Sequence, residues 1–153
     1  MEDTEKTLRF NQVYNDYYAI LHRYTARRVN INLLEDVLSE LFSLCFAKLD
    51  KINPGEELPW LYRSCYLIIR NLYRKRPDLL NLEQNASSAE SEALANISIK
   101  RALSSLSNEE REVLFFVVLE GFSYQEIAKI TGLSENNVAK RFSRAKDKFL
   151  QNI

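Results

Sequence analysis

The chain has 153 residues, of which 46% are hydrophobic, and it contains only three glycines and three prolines. This composition excludes a turn-rich β fold and favours long helices, and the length allows one ordinary domain or two small ones. The 21 basic and 21 acidic residues give a formal net charge of zero, but they lie in separate stretches, which suits a protein with one anionic and one cationic partner.

The first half of the chain predicts three amphipathic helices, because apolar residues recur there at intervals of three and four. We expect them at residues 7–28, at residues 33–51, and from residue 57 into 74–77. The apolar face of the first helix comprises Phe10, Val13, Tyr14, Tyr17, Ile20, Leu21 and Tyr24. Helices of this length form one small bundle, and we expect Cys45 and Cys65 in its core.

A polar stretch rich in Ser, Asn, Gln and Glu follows the third helix and predicts a linker. We therefore divide the chain into a helical domain at residues 1–77, a linker at 78–97 and a second helical domain at 98–153. The predicted fold class is all-α, with two small helical bundles.

The second domain begins with a helix predicted at residues 99–105. Ser107 and Glu110 have the spacing of a capping box, in which each side chain bonds to the other residue's backbone N–H. This box opens a helix that runs through Glu120 and stops at Gly121. The residues expected to be buried are Val113, Leu114, Val117 and Val118.

The segment from Ser123 onward predicts a helix-turn-helix. Ser123 and Glu126 form a second capping box, Gly132 allows a tight turn, and Ser134 caps the next helix. Apolar residues on this last helix form one stripe: Val138, Phe142, Ala145 and Phe149. A helix with an apolar back and a polar, basic front suits the major groove of DNA.

Two sets of residues are candidates for contact with DNA. Basic side chains neutralise phosphates, while Arg and Asn near a helix N-terminus can read base edges. On the last helix these residues are Asn136, Asn137, Lys140, Arg141, Arg144 and Lys148. The third helix has five basic and no acidic residues from position 63 to 76, interleaved with Trp60, Tyr62, Tyr66 and Tyr73. Such a surface can hold an unstacked base. The residues of this helix that we expect to contact DNA are Arg63, Asn71, Arg74 and Arg76.

Other functions are not expected from this sequence. Two lone cysteines and a single histidine cannot complete a zinc site, and we predict no metal or other cofactor. Asp36 and Glu40 are four apart on one helix face but lack a third catalytic partner, so we do not expect an enzyme. Without a signal-peptide pattern or a long apolar run, we expect a cytoplasmic protein that does not insert into membranes.

The second domain resembles region four of the bacterial RNA polymerase sigma factors nearly residue for residue. The matching residues are 106–107, 110–114, 119–128, 132–135, 138 and 141–145. In the first domain, the acidic helix of sigma region two is similar to Glu35-Asp36-Val37-Leu38-Ser39-Glu40-Leu41-Phe42. The start of the helix that opens the −10 element resembles Pro59-Trp60-Leu61-Tyr62-Arg63. With a short linker between the two regions, the chain resembles an extracytoplasmic-function (group IV) sigma factor.

The resemblance implies an alternative sigma factor that binds core RNA polymerase and directs transcription initiation. Asp36 and Glu40 would dock on the clamp helices of the β′ subunit, and the third helix would capture the −10 element. The second domain would bind the β flap and read the −35 element of promoter DNA through the last helix. The family also implies an anti-sigma factor that covers the polymerase-binding faces.

Some residues depart from the family pattern. Ser39 replaces a usual Gln, Tyr66 and Leu67 replace Arg-Asn, and Asn71 replaces an Asp. On the last helix, the common Gly-Thr-Val-Lys-Ser becomes Asn136-Asn137-Val138-Ala139-Lys140. Two alternatives stay open. Parts of the region-four pattern also occur in LuxR-type regulators, so the chain could be a LuxR-like regulator that binds DNA as a dimer. The departures at Tyr66, Leu67 and Asn71 leave open a sigma-like protein-interaction module that does not melt promoters.

Overall fold

The structure is a computed structural model that describes residues 3–76 and 93–153, with side chains described from residue 97 in the second range. Of the linker predicted at 78–97, residues 78–92 lie outside the described residues, and residues 93–97 are helical rather than part of a linker. The chain divides into two compact units, Met1–Ala86 and Ser87–Ile153. Throughout the described ranges the regular elements are helical, which confirms the predicted all-α fold class.

The first unit contains three helices: α1 at Asp3–Ala26, α2 at Leu34–Lys48 and α3 at Glu57–Lys75. Short 3-10 turns at Ile31–Leu33 and Leu49–Lys51 precede and follow α2. The three helices pack around a core that includes Leu21, Tyr24, Leu38, Leu41, Cys45, Leu49, Leu61 and Cys65. Both cysteines are buried and free, as predicted. α1 begins four residues before its predicted start, and Tyr14, which was predicted to face inward, is 39% exposed.

A buried ion pair connects the beginning of α1 to the beginning of α3. The Arg9 guanidinium donates two hydrogen bonds to Glu57 Oε2, at 2.9 and 3.1 Å. It also donates to the carbonyl oxygens of Leu49 and Ile52, at 2.9 and 2.7 Å. Glu57 Oε1 accepts the Gly55 backbone N–H at 2.9 Å. This network fixes the loop between α2 and α3, and sequence analysis missed it.

The second unit contains α4 at Ala93–Ser104, α5 at Asn108–Val118, α6 at Tyr124–Thr131 and α7 at Glu135–Gln151. Both predicted capping boxes are present, at Ser107 with Glu110 and at Ser123 with Glu126. One buried cluster joins α4, α5 and α7 and consists of Leu103, Leu106, Leu114, Phe142, Ala145 and Phe149. The capping signals therefore located the starts of α5 and α6 correctly, whereas α4 begins six residues before the predicted residue 99.

The apolar face of α5 differs from its prediction. Val118, which was expected to be buried, is 63% exposed, whereas Phe116 is fully buried and its ring lies 5.8 Å from that of Phe122. The helix also ends at Val118, two residues earlier than predicted. Helical geometry explains the error, because Val118 lies about 135° from the centre of the face formed by the buried residues Val113, Leu114 and Phe116.

Candidate nucleic-acid and protein interfaces

The turn between α6 and α7 is held by polar side chains. Thr131 Oγ1 donates to the Ile127 carbonyl at 2.8 Å and accepts the Leu133 N–H at 3.2 Å. Gly132 has φ of +82°, a left-handed conformation that glycine adopts without strain. Ser134 then caps α7 by accepting the Asn137 N–H at 3.1 Å. These bonds fix the direction in which α7 leaves the turn, as a helix-turn-helix requires.

α7 has a buried side and an exposed polar side. Val138 and Ala145 are fully buried, and Phe142 and Phe149 are half-buried beside them. Five of the six residues predicted to contact DNA are exposed, and Arg141 is half-buried. By helical spacing, one exposed strip contains Asn137, Arg141, Arg144 and Lys148, and the adjacent strip contains Asn136 and Lys140. α7 therefore presents four cations on a surface away from the core.

Lys148 also has a partner within the protein. Its ammonium lies 3.0 Å from Glu110 Oε1, the same oxygen that accepts the Ser107 N–H in the capping box of α5. The bond from the Ser107 backbone is the largest contribution to lowering the pKa of Glu110, and Lys148 lowers it further despite partial burial. Sequence analysis missed this pair because 38 positions separate the two residues. Lys148 thus links the end of α7 to the start of α5.

The basic surface of α3 is partly exposed. Asn71, Arg74 and Arg76 are exposed and Arg63 is half-buried, with Arg74 donating to Asn71 Oδ1 at 3.2 Å. The expectation that Tyr62 could hold a base is corrected here, because Tyr62 is buried with its ring 5.4 Å from that of Tyr24. The candidate surface therefore consists of the exposed arginines and their neighbours.

The carboxylates of α2 lie next to an exposed aromatic cluster. Asp36 and Glu40 are exposed, and Glu35 accepts the Tyr18 hydroxyl at 3.3 Å. Five aromatic rings from α1 and α2 form this cluster, and the centroids of neighbouring rings lie 5.0 to 6.4 Å apart. The rings belong to Phe10, Tyr14, Tyr18, Phe42 and Phe46. Phe46 is 41% exposed. Exposed aromatic side chains beside charged residues are typical of protein interfaces. Sequence analysis assigned Phe10 and Tyr14 to the core and did not identify the cluster.

Tyr18 and Glu35 couple this cluster to the acidic face. Burial raises the pKa of Tyr18, and the neighbouring Glu35 carboxylate raises it further. The Tyr18 hydroxyl therefore stays protonated and continues to donate to Glu35 throughout the neutral range. Asp36 and Glu40 are the other two exposed carboxylates of α2.

Comparisons with known proteins identify the family of this chain. The model of sigma-70 region 4 matches residues 97–149, which include α5, α6 and most of α7. The ECF RNA polymerase sigma factor EcfG of Rhodopseudomonas palustris is 28% identical over 127 residues, which cover 78% of this chain and 70% of EcfG. The second unit belongs to the sigma-70 region 4 family, and the chain is similar to extracytoplasmic-function sigma factors. The resemblance seen in the sequence is therefore confirmed, and proteins of this class are not enzymes.

Two further relatives extend the comparison for this sigma factor. The probable RNA polymerase sigma factor RfaY of Xanthomonas campestris pv. campestris is 32% identical over 131 residues, and the match covers 73% of this chain but only 32% of RfaY. The sigma factor RpoE of Bartonella quintana, solved in complex with the anti-sigma factor NepR, has the same fold. It is 24% identical, with a TM-score of 0.70, and the match covers 93% of this chain and 94% of RpoE.

Neither cysteine of this sigma factor is placed for chemistry. Burial raises the pKa of Cys45 to about 11, so its thiol remains protonated and unreactive at neutral pH. Cys65 is buried with its sulfur 3.4 Å from Thr25 Oγ1. In the two described ranges, no cluster of three potential metal ligands was found. The described helices also include none that is long and apolar enough to span a bilayer.

Proposed function

We propose that this sigma factor binds core RNA polymerase and directs it to promoters, with the first unit at the −10 element and the second unit at the −35 element. The observation that carries this proposal is the presence of two exposed surfaces of opposite charge on a sigma-factor fold. One is the acidic face of α2, and the other is the cationic side of α7. A protein that works with the polymerase in this way acts in the cytoplasm.

The proposal for the −35 element depends on the geometry of α7. Its capped N-terminus carries Asn136 and Asn137 exposed, followed one turn later by Lys140 and Arg141. Residues at the start of a recognition helix meet base edges in the major groove, where Asn pairs well with adenine and Arg with guanine. Arg144 lies another turn along the helix, where a phosphate contact would fix the helix in its register.

The proposal for the −10 element depends on α3. Arg63, Arg74 and Arg76 supply positive charge, and Asn71 lies on the same side of the helix. Since this stretch has no acidic residue, nothing on it opposes the approach of a DNA strand. We propose that it holds the displaced non-template strand once the duplex opens.

We propose that Asp36 and Glu40 dock on the clamp helices of the β′ subunit. The second unit would contact the β flap. Because RpoE of Bartonella quintana forms a complex with an anti-sigma factor, we further propose that an anti-sigma factor covers these polymerase-binding faces.

Capture of polymerase tests the proposal and separates it from its alternatives. Tagged full-length protein is expected to retain the β and β′ subunits from a lysate of the source organism and to form a one-to-one complex with purified core enzyme. A LuxR-like regulator would form a dimer and leave the polymerase unbound. The relatives of this chain favour the first outcome, since both are sigma factors.

Arg144→Ala is expected to weaken binding of promoter DNA by the holoenzyme about tenfold or more while leaving affinity for core polymerase unchanged. The arginine is exposed on the DNA-facing strip of α7, in the second unit, whereas Asp36 and Glu40 belong to the first unit. Fluorescence anisotropy with promoter DNA and with labelled core enzyme measures the two affinities. An equal loss of both would contradict the assignment of α7 to DNA.

Lys148→Met provides a matched comparison on the same strip. Because the Lys148 ammonium is engaged by Glu110, its removal is expected to change the salt dependence of DNA binding less than Arg144→Met does. A full phosphate contact contributes about 0.9 to the slope of log affinity against log salt concentration. Titrations at several salt concentrations measure this slope, and equal decreases in the two variants would show that Lys148 leaves Glu110 for a phosphate.

A further inference from the structure

An exposed leucine lies within the basic stripe of α3. Leu67 is 41% exposed, whereas the other large apolar residues of this helix are buried or half-buried. Arg63 precedes it by four positions, and Arg70 and Arg74 follow it by three and seven. At about 100° per residue these four side chains fall within an arc of about 60°, with Leu67 at one edge of the arc and the three arginines next to it on one side.

The chemistry of this arrangement fits one kind of ligand. A leucine side chain has no hydrogen-bonding group and gains free energy only when an apolar surface covers it. The neighbouring arginines favour an anion and disfavour a basic protein surface. A strand of DNA supplies both parts, because each base has an apolar face and is linked through its deoxyribose to a phosphate. Stacking covers the base faces in duplex DNA, so a leucine that packs on a base face requires a single-stranded ligand at this point.

We propose that Leu67 is a specificity-determining residue that contacts an unstacked base and favours thymine through its C5-methyl group. This inference rests on the proposed function, in which α3 holds the displaced strand. Among the DNA bases only thymine carries a methyl group, and apolar side chains recognise thymine through it. Arg63, Arg70 and Arg74 would hold the phosphates on either side, with Arg74 oriented by its hydrogen bond to Asn71.

The inference also accounts for a departure from the family. Leu67 stands where extracytoplasmic-function sigma factors usually have Asn, whose amide can read a base edge by hydrogen bonds. Replacing that amide by an isobutyl group exchanges hydrogen-bond reading for apolar contact. This exchange would change which base is preferred and would still permit the strand to be captured.

The test compares two homopolymers that differ only in the methyl group. Holoenzyme assembled from core polymerase and the full chain is titrated with labelled single-stranded oligothymidylate and with oligodeoxyuridylate of the same length. We expect tighter binding to oligothymidylate by about threefold to fourfold, the effect of taking one methyl group out of water. In Leu67→Ala and Leu67→Asn holoenzymes this preference should disappear, while Leu67→Met, which keeps an apolar side chain, should retain it.

Leu8→Asn is the matched control, since Leu8 is 65% exposed on α1 and lies outside the basic stripe. It should leave the preference unchanged. If the holoenzyme binds both homopolymers equally, or if the preference survives Leu67→Ala, the assignment of Leu67 is overturned while strand capture by α3 stands. If core polymerase gains no affinity for either homopolymer from the sigma factor, both this inference and the −10 proposal fail.

Discussion

Replacing Asp36 and Glu40 together with alanine is expected to weaken binding of core polymerase about a hundredfold (~2.7 kcal/mol). Both carboxylates are exposed on α2. A partner that covers this face would bring its cations against the two carboxylates, and their removal would leave those cations buried without counter-charges. The affinity is measured by titrating labelled core enzyme with the full-length protein.

Asp3→Ala combined with Glu5→Ala is the control for this experiment. It removes the same charge from the same unit, at exposed positions in the first turn of α1, and should change the affinity less than twofold. The double variant of α2 should also keep the helical content and thermal stability of the wild type, since neither residue is buried. Unchanged affinity in that variant would remove the clamp-docking assignment.

Arg9→Met is expected to destabilise the first unit by about 3 kcal/mol, a large share of the total stability of a small domain. Methionine fills a similar volume but cannot donate to Glu57 or to the carbonyl groups of Leu49 and Ile52. The Glu57 carboxylate would then remain buried without its cation. Urea unfolding of the full chain, monitored by circular dichroism, measures the loss.

The pH dependence of stability identifies the source of this effect. Burial alone would raise the pKa of Glu57, but hydrogen bonds from the backbone of Glu57 and Gly55 and from Arg9 outweigh it and hold the pKa below its usual value. A carboxyl whose pKa is lower in the folded state stabilises the fold above its unfolded pKa and loses this contribution as the pH falls through the folded value. Wild-type stability should therefore decrease on acidification below about pH 4.3.

Arg9→Met should show a smaller decrease over the same acidic range, because the cation that lowers the pKa of Glu57 is absent. Arg9→Met combined with Glu57→Leu should recover part of the lost stability, since no unpaired carboxylate remains buried. If Arg9→Met has the stability of the wild type at neutral pH, the network does not hold the α2–α3 loop as inferred.

Features set by neighbouring residues were predictable from the sequence. Ser107, Ser123 and Ser134 cap their helices as expected, because a cap depends on residues within one turn of the chain. The apolar stripe of α7 followed its spacing for the same reason. Contacts between distant segments were not predictable: Arg9 and Glu57 are 48 positions apart, and no local pattern indicates that they meet.

In the candidate interfaces, too, features set by neighbouring residues were predictable and contacts between distant segments were not. Helical spacing was sufficient to assign Asn137, Lys140 and Arg144 to the exposed side of α7. Spacing could not indicate that Lys148 would pair with Glu110 on another helix, or that Phe46 would remain exposed at the edge of an aromatic cluster. In each of these cases, the packing of one helix on another decides whether a side chain is exposed.

The central claim is that this chain gives core polymerase its promoter specificity. Reconstituted transcription tests it most directly: purified core enzyme and full-length protein are incubated with a library of promoter fragments, and the 5′ ends of the transcripts are mapped. We predict discrete start sites that appear only when the protein is present and that are lost with Arg144→Ala. Transcripts with the same scattered 5′ ends with and without the protein would contradict the claim. Should the protein still bind the core enzyme in that case, it would be a polymerase-binding module that does not open promoters.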